Sequence, residues 1–172
     1  YTPIGSESDY VGILPVEFQL VPQRGEGFGE RLACAAQDLL RCGFSSVCLI
    51  DSDSPTVSSD AFRQAIKFLH ESGDRVVLGP SDDGGYYLIG LKRNHREVFE
   101  EIDWSTDRVF DQTRKRALAS NLEIALLLPG YDIDDPATLR RLCDELLSNQ
   151  TDPRIAPATR KYLAELTANR RF

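Results

Sequence analysis

Three stretches of this sequence place carboxylates where they could act on a ligand. Asp51-Ser52-Asp53 follows the apolar run Val47-Cys48-Leu49-Ile50. Two carboxylates in one tight turn suit a hard divalent cation such as Mg²⁺ or Mn²⁺, which prefers oxygen ligands and keeps places for water or phosphate. Ser, Asp and Pro are equally the residues of an Asx-turn and helix cap, so the pattern alone leaves both readings open. Asp132-Ile133-Asp134-Asp135 follows a second apolar run and could complete the metal site from another strand. One carboxylate there, Asp135 or Asp134, serves as the cap of the helix starting at Pro136. Three exceed what capping needs, and like charges repel unless a cation offsets them. Between these lies Asp83-Gly84-Gly85-Tyr86, where adjacent glycines permit unusual dihedrals or close backbone approach. A fourth stretch, Gln23 to Gly29, is glycine-rich and precedes a helix. Such a loop allows backbone contact with a base or phosphate, or is simply a strand-to-helix turn.

These residues need a scaffold, and apolar periodicity supplies one. Residues 1–15 read as a loop and Val16 to Val21 as a short strand. Leu32, Ala35, Ala36, Leu39 and Leu40 mark one face of a helix from Glu30 to Arg41, stopped by Gly43. Val47 to Ile50 has the continuous apolar character of a central parallel strand. A helix from Ser59 to Glu71 carries Phe62, Ala65, Ile66 and Leu69 inward. Strands are expected at Arg75 to Leu78, Tyr86 to Leu91 and Glu123 to Leu128, with a helical turn at Glu97 to Glu101. Helices are expected at Asp107 to Ser120, Pro136 to Leu147 and Pro157 to Ala168. Alternating strands and helices predict an α/β, three-layer αβα sandwich with a mostly parallel sheet. The whole chain reads as one domain, with its core over 16–147 and residues 157–168 as a helical appendage. Ligands of such sheets bind at the carboxyl ends of the strands, where three of the four stretches fall.

Composition narrows the function classes. The chain has 172 residues, of which 41 % are apolar, and a net charge of -7. That is globular composition, and its acidity argues against a nucleic-acid binder. No apolar run is long enough to span a bilayer. The four cysteines at 34, 42, 48 and 143 form no CxxC pair and read as reduced residues of a cytoplasmic protein. His70 and His95 read as solvated residues without a catalytic partner. There is no Met, which predicts that Tyr1 is not the original start.

Four segments, in order, carry a family resemblance: Leu49-Ile50-Asp51-Ser52-Asp53-Ser54-Pro55-Thr56; Val77-Leu78-Gly79-Pro80-Ser81-Asp82-Asp83-Gly84-Gly85-Tyr86-Tyr87-Leu88-Ile89-Gly90-Leu91; Trp104-Ser105-Thr106; and Tyr131-Asp132-Ile133-Asp134. The chain resembles the DUF2064 family, the radical-SAM/selenodomain-associated transferase 1 group, over about residues 20–145. The resemblance implies the GT-A, nucleotide-diphospho-sugar transferase fold and a divalent metal, Mg²⁺ or Mn²⁺. It implies a nucleotide-sugar donor for glycosyl transfer, or a nucleoside triphosphate for nucleotidyl transfer, and a small-molecule acceptor. It is similar also to nucleotidyltransferases in which an Asp-x-Pro turn binds metal, matched here by Asp53-Ser54-Pro55, with the second metal position at Asp134. Asp51 stands where many members have Gly, and Asp132 adjoins the second position. Gln23, Gly25, Gly29 and Arg31 match a Gln-x-Gly and Gly-Glu-Arg segment expected at the nucleotide, although Arg31 suits a structural ion pair equally. Asp83, Gly84, Gly85 and Tyr86 are expected on the acceptor or sugar side, with Asp83 the candidate general base. One of Tyr86 and Tyr87 would face the ligand while the other packs. Trp104, Ser105 and Thr106 are expected as a lid or sugar-stacking wall, with Thr106 also suited to cap the next helix. The family's first strand and its basic Pro-x-x-Gly-x-Val-Lys-Thr-Arg loop have no counterpart before Tyr1, so the chain reads as incomplete at its N-terminus.

Two other classes fit part of the pattern. A haloacid-dehalogenase-like phosphatase would use Asp51 as nucleophile and Asp53 as acid/base. Pro55 stands where that class carries Thr or Val, and Asp-Gly-Gly-Tyr has no role there. A nucleotide-binding module without turnover would use the same acidic turns to bind and not to transfer.

Overall fold

The computed structural model describes residues 1–148 and 150–168. Four strands, β1 (Val47–Ile50), β2 (Arg75–Pro80), β3 (Tyr86–Leu91) and β4 (Glu123–Leu126), form one sheet in the order β1-β3-β2-β4. The sheet is mixed, which corrects the expectation of a mostly parallel one. β3 pairs antiparallel with both β1 and β2, and only β2 with β4 is parallel. The connection decides this. Only residues 81–85 separate β2 from β3, and a parallel crossover needs a dozen or more. β1 lies at an end of this sheet rather than at its centre.

Helices cover both faces. α1 (Phe28–Arg41) and α3 (Val109–Ala119) pack on one side, where Ala33, Ala36 and Ala117 meet Val76, Leu78, Ile89 and Leu91. α2 (Ser59–His70) packs on the other, where Ala65 and Leu69 meet Val77 and Leu88. Ile66, expected inward, is 51 % exposed. α4 (Pro136–Leu147) and α5 (Pro157–Ala168) bury Leu142, Leu146 and Leu163 in a cluster of their own. Tyr162 on α5 faces solvent.

The helix starts follow local chemistry. Asp135 accepts from the N–H groups of Ala137 and Thr138, Pro136 occupies the first turn, and the Thr138 hydroxyl closes a capping box. Asp135 thus performs the capping and Asp134 does not. Val16 to Val21 forms no strand. It finds no ladder partner, and Val16, Phe18 and Val21 are exposed. A strand exists only through its neighbours' hydrogen bonds, which composition does not reveal.

His95 also departs from expectation. It is largely buried, with Nε2 3.0 Å from Asp74 and Nδ1 3.0 Å from Glu97.

Because β1, β2 and β4 run the same way, their carboxyl ends share one edge of the sheet. The three acidic stretches emerge there.

Candidate active site

Backbone hydrogen bonds stitch the three turns together. The Asp51 N–H donates to the Tyr87 carbonyl at 3.1 Å, and the Ile133 N–H to the Asp53 carbonyl at 3.1 Å. The Asp82 N–H donates to Gly130 at 3.0 Å, and the Gly130 N–H to Pro80 at 2.9 Å. Side chains add to this. The Ser54 hydroxyl donates to Asp51 at 2.5 Å and the Ser81 hydroxyl to Asp132 at 2.9 Å. Asp82 is drawn aside by Arg141 at 2.8 Å, whose guanidinium lies 3.7 Å from the Tyr131 ring centroid.

The turns enclose a cavity of about 640 Å³. Asp51, Asp53, Asp83, Asp132 and Asp134 line it, together with Tyr86, Trp104, Ser105 and Thr106. Nine of the residues expected at the site therefore share one cavity. Residues that sequence reasoning missed line it too, notably Phe28 and Asp107, and both Tyr86 and Tyr87 line it where only one of the two was expected to. Asp107 directly follows the Trp-Ser-Thr motif and Phe28 stands between Gly27 and Gly29 at the start of α1, but no local spacing marks either as a site residue.

The carboxylates strain against one another. Burial raises the Asp51 carboxyl above its ordinary pKa, and the charges of Asp53, Asp132 and Asp83 push the same way, with the Ser54 hydrogen bond opposing. The Asp132 charge raises Asp134, followed by burial and by Asp53 and Asp83. A cation would relieve this crowding. Among the described residues no group of three or more His, Cys, Asp or Glu side chains is placed to hold a metal ion. One or two of these carboxylates could still hold Mg²⁺, which typically takes that many and fills its octahedron with water and substrate phosphate.

Aromatic residues form another part of the cavity wall. Trp104 meets Phe28 edge-on at 5.1 Å and Tyr86 at 6.5 Å between ring centroids. Its indole lies so close to Gly29 that a Cβ there would overlap it. Gly29 is thus a packing residue beneath the wall. Ser105 holds φ at 63° beside Trp104, a conformation uncommon for a non-glycine residue. Thr106 is not the cap of α3, a position held by Arg108. The Thr106 hydroxyl instead donates to the Asp103 carbonyl at 2.7 Å and accepts from the Arg108 N–H.

Gly84 and Gly85 shape the rim rather than line the cavity. Gly84 has φ of 90°, and a Cβ on it would collide with the Asp107 carbonyl. Its own carbonyl accepts from Phe110 at 2.8 Å. The Gly85 N–H donates to Asp83 Oδ1 at 2.8 Å, which orients that carboxylate.

Gln23, Gly25, Gly29 and Arg31 lie off the cavity. Among the described residues Arg31 makes no ion pair with a carboxylate. Its guanidinium donates to the carbonyls of Gly25 at 3.2 Å and Glu26 at 3.4 Å, closing the turn before α1. Gly25 has φ of 110° in that turn.

The DUF2064 family model, described only as an uncharacterized protein conserved in bacteria, matches residues 1–106. The chain belongs to the DUF2064 family. The matched span includes Asp53, the Asp83-Gly84-Gly85-Tyr86 turn and Trp104. A solved structure extends the likeness of this DUF2064 chain through Asp132 and Asp134. It is a protein of Desulfovibrio desulfuricans G20, provisionally named a nucleotide-diphospho-sugar transferase. The two are 27 % identical with a TM-score of 0.83, over 98 % of this chain and 71 % of the other. No curated protein matches the sequence. No helix among the described residues is long and apolar enough to cross a membrane.

Proposed function

We propose that this DUF2064 chain is a metal-dependent transferase that takes a nucleotide-sugar as donor. The observation that carries the reading is the convergence of two acidic turns, from the ends of β1 and β4, with the Asp83 turn on one cavity. The likeness to the Desulfovibrio protein supports the choice of donor.

Asp53 and Asp134 are the residues that would hold Mg²⁺ or Mn²⁺, with Asp51 and Asp132 beside them. When bound, the ion neutralises the donor diphosphate and the charge that develops as it leaves. The chain's own side chains do the rest. Phe28, Trp104 and Tyr86 offer apolar ring faces and edges to a sugar. Asp83, oriented by the Gly85 N–H, is the candidate base for the attacking acceptor. The rim, held by the fit of Gly84 against Asp107, fixes Asp83 relative to the wall.

The test is turnover of a panel of nucleotide-sugars in Mg²⁺ or Mn²⁺, read as release of nucleoside diphosphate. The reading predicts metal-dependent release with one member of the panel. It fails if no donor binds or turns over with either ion.

A further inference from the structure

We infer that Gln112, a residue of α3 that does not itself line the cavity, is a positioning residue for its Trp104 side and acts by gripping Asp103. What this grip does for a bound sugar rests on the transferase reading above.

Gln112 Oε1 accepts from the Asp103 main-chain N–H at 2.7 Å, and Gln112 Nε2 donates to the Asp103 carboxylate at 2.7 Å. One planar amide therefore fixes both the backbone and the side chain of the residue just before Trp104. An amide carries the acceptor and the donor side by side, whereas a carboxylate lacks the donor and alanine lacks both. Asp103 also pairs with Arg108 at 3.2 Å, but both side chains are more than half exposed, and such ion pairs contribute little.

The turn needs this grip. Residues 101–108 belong to no helix or strand. Glu101 and Ser105 hold φ at 58° and 63°, a conformation that non-glycine residues adopt infrequently and that persists only where the surroundings over-determine it. One face of α3 supplies that restraint. Four residues on from Gln112, Arg116 pairs with Glu101 at 2.7 Å and donates through Nε to the Glu97 carbonyl at 3.1 Å. The Phe110 N–H ties the start of the same helix to the Gly84 carbonyl at 2.8 Å. A single rigid element thus holds the Trp104 turn and the Asp83 turn together. Packing alone restrains the indole less. It is only partly buried, and Phe28, which it meets at 5.1 Å, is itself exposed. With the turn gripped, Trp104, Ser105 and Thr106 keep their place before a ligand arrives, so less ordering is left to oppose binding.

The experiment uses the full chain and the fluorescence of its single tryptophan, with circular dichroism to show that each variant folds. Gln112→Ala should make Trp104 about twofold more open to acrylamide quenching, because losing two hydrogen bonds raises the open population of the turn. Asp103→Asn should stay near wild type, because its amide oxygen still accepts from Gln112. Gln112→Glu should open the turn, since two carboxylates then face each other. Adding Asp103→Asn to Gln112→Glu exchanges amide and carboxylate, remakes both hydrogen bonds and should restore the wild-type value. A loss that came only from disturbed packing would not recover on this exchange. With Mg²⁺ and a nucleotide-sugar that turns over on the wild type, Gln112→Ala should raise KM about fivefold, the weight of one ordinary hydrogen bond, and leave kcat nearly unchanged. Unchanged quenching in Gln112→Ala, no recovery on the exchange, or an unchanged KM overturns the inference. If no nucleotide-sugar binds the wild type, the transferase reading fails while the quenching series still decides the role of Gln112, so the two failures are distinguishable.

Discussion

The N–H of Ile133 donates to the carbonyl of Asp53 across 3.1 Å, and this bond joins the acidic turn after β1 to the one after β4. The separation of Asp53 and Asp134 is thereby set by backbone, not by side chains choosing each other. Their charges repel in a frame that does not yield. Asp134→Asn should keep the fold and raise the metal-free melting temperature by about 2 °C, the response expected when a crowded like charge is removed. Differential scanning calorimetry at low salt reads this. A fall in the midpoint would contradict the account of the crowding.

Gly84→Ala tests the rim. The substitution forces a side chain into φ of 90° and against the Asp107 carbonyl. The expected cost is roughly 3 kcal/mol in urea unfolding, combining backbone strain and overlap. A change within about 0.5 kcal/mol, the range of an ordinary surface substitution, would show that the turn moves freely.

Trp104 is the chain's single tryptophan, so its fluorescence reports on the wall alone. Nucleotide-sugar binding with Mg²⁺ should change its emission, and Asp53→Ala should abolish the change. Trp104→Ala should cost roughly 2 kcal/mol, less than a fully buried aromatic because the ring is only partly buried. Trp104→Phe should recover most of that loss. Unchanged emission at saturating donor would place the ligand away from the wall.

Tyr131 gives a pH signature. Burial, with the hydroxyl's hydrogen bond to Glu145 and that carboxylate's charge, pushes its pKa up to about 12, while Thr56 and Arg141 oppose the rise. The folded state therefore holds this proton more tightly than the unfolded state. Its contribution to stability is complete below about pH 10 and declines as the pH rises to about 12. Tyr131→Phe should show a shallower fall of melting temperature across that window. Identical slopes would remove Tyr131 as the cause.

How much of this was legible beforehand follows from which forces are local. Helices α1 to α5 were readable because apolar spacing and caps such as Asp135 act within a few residues. The acidic turns were readable because each follows an apolar run. The direction of β3 was encoded in the brevity of residues 81–85 but was overridden by the alternation of strands and helices around it. The Gln23 to Arg31 segment was the least legible. Its glycines suit a ligand contact and a tight helix junction equally, and only the placement of Trp104 on Gly29 distinguishes the two. Asp107 and Phe28 reach the cavity through tertiary packing, and no local spacing marks them.

The most direct test is metal-dependent stabilisation of the wild-type chain and of Asp53→Ala by a panel of nucleotide-sugars. Saturating ligand raises the melting temperature through linkage, by roughly 2.7 kcal/mol of stability at a hundredfold excess over Kd. The account predicts such a shift for the wild type with one nucleotide-sugar and Mg²⁺ or Mn²⁺, its loss on adding EDTA, and no shift for Asp53→Ala, which still folds. No shift for the wild type, or an equal shift in Asp53→Ala, would contradict it.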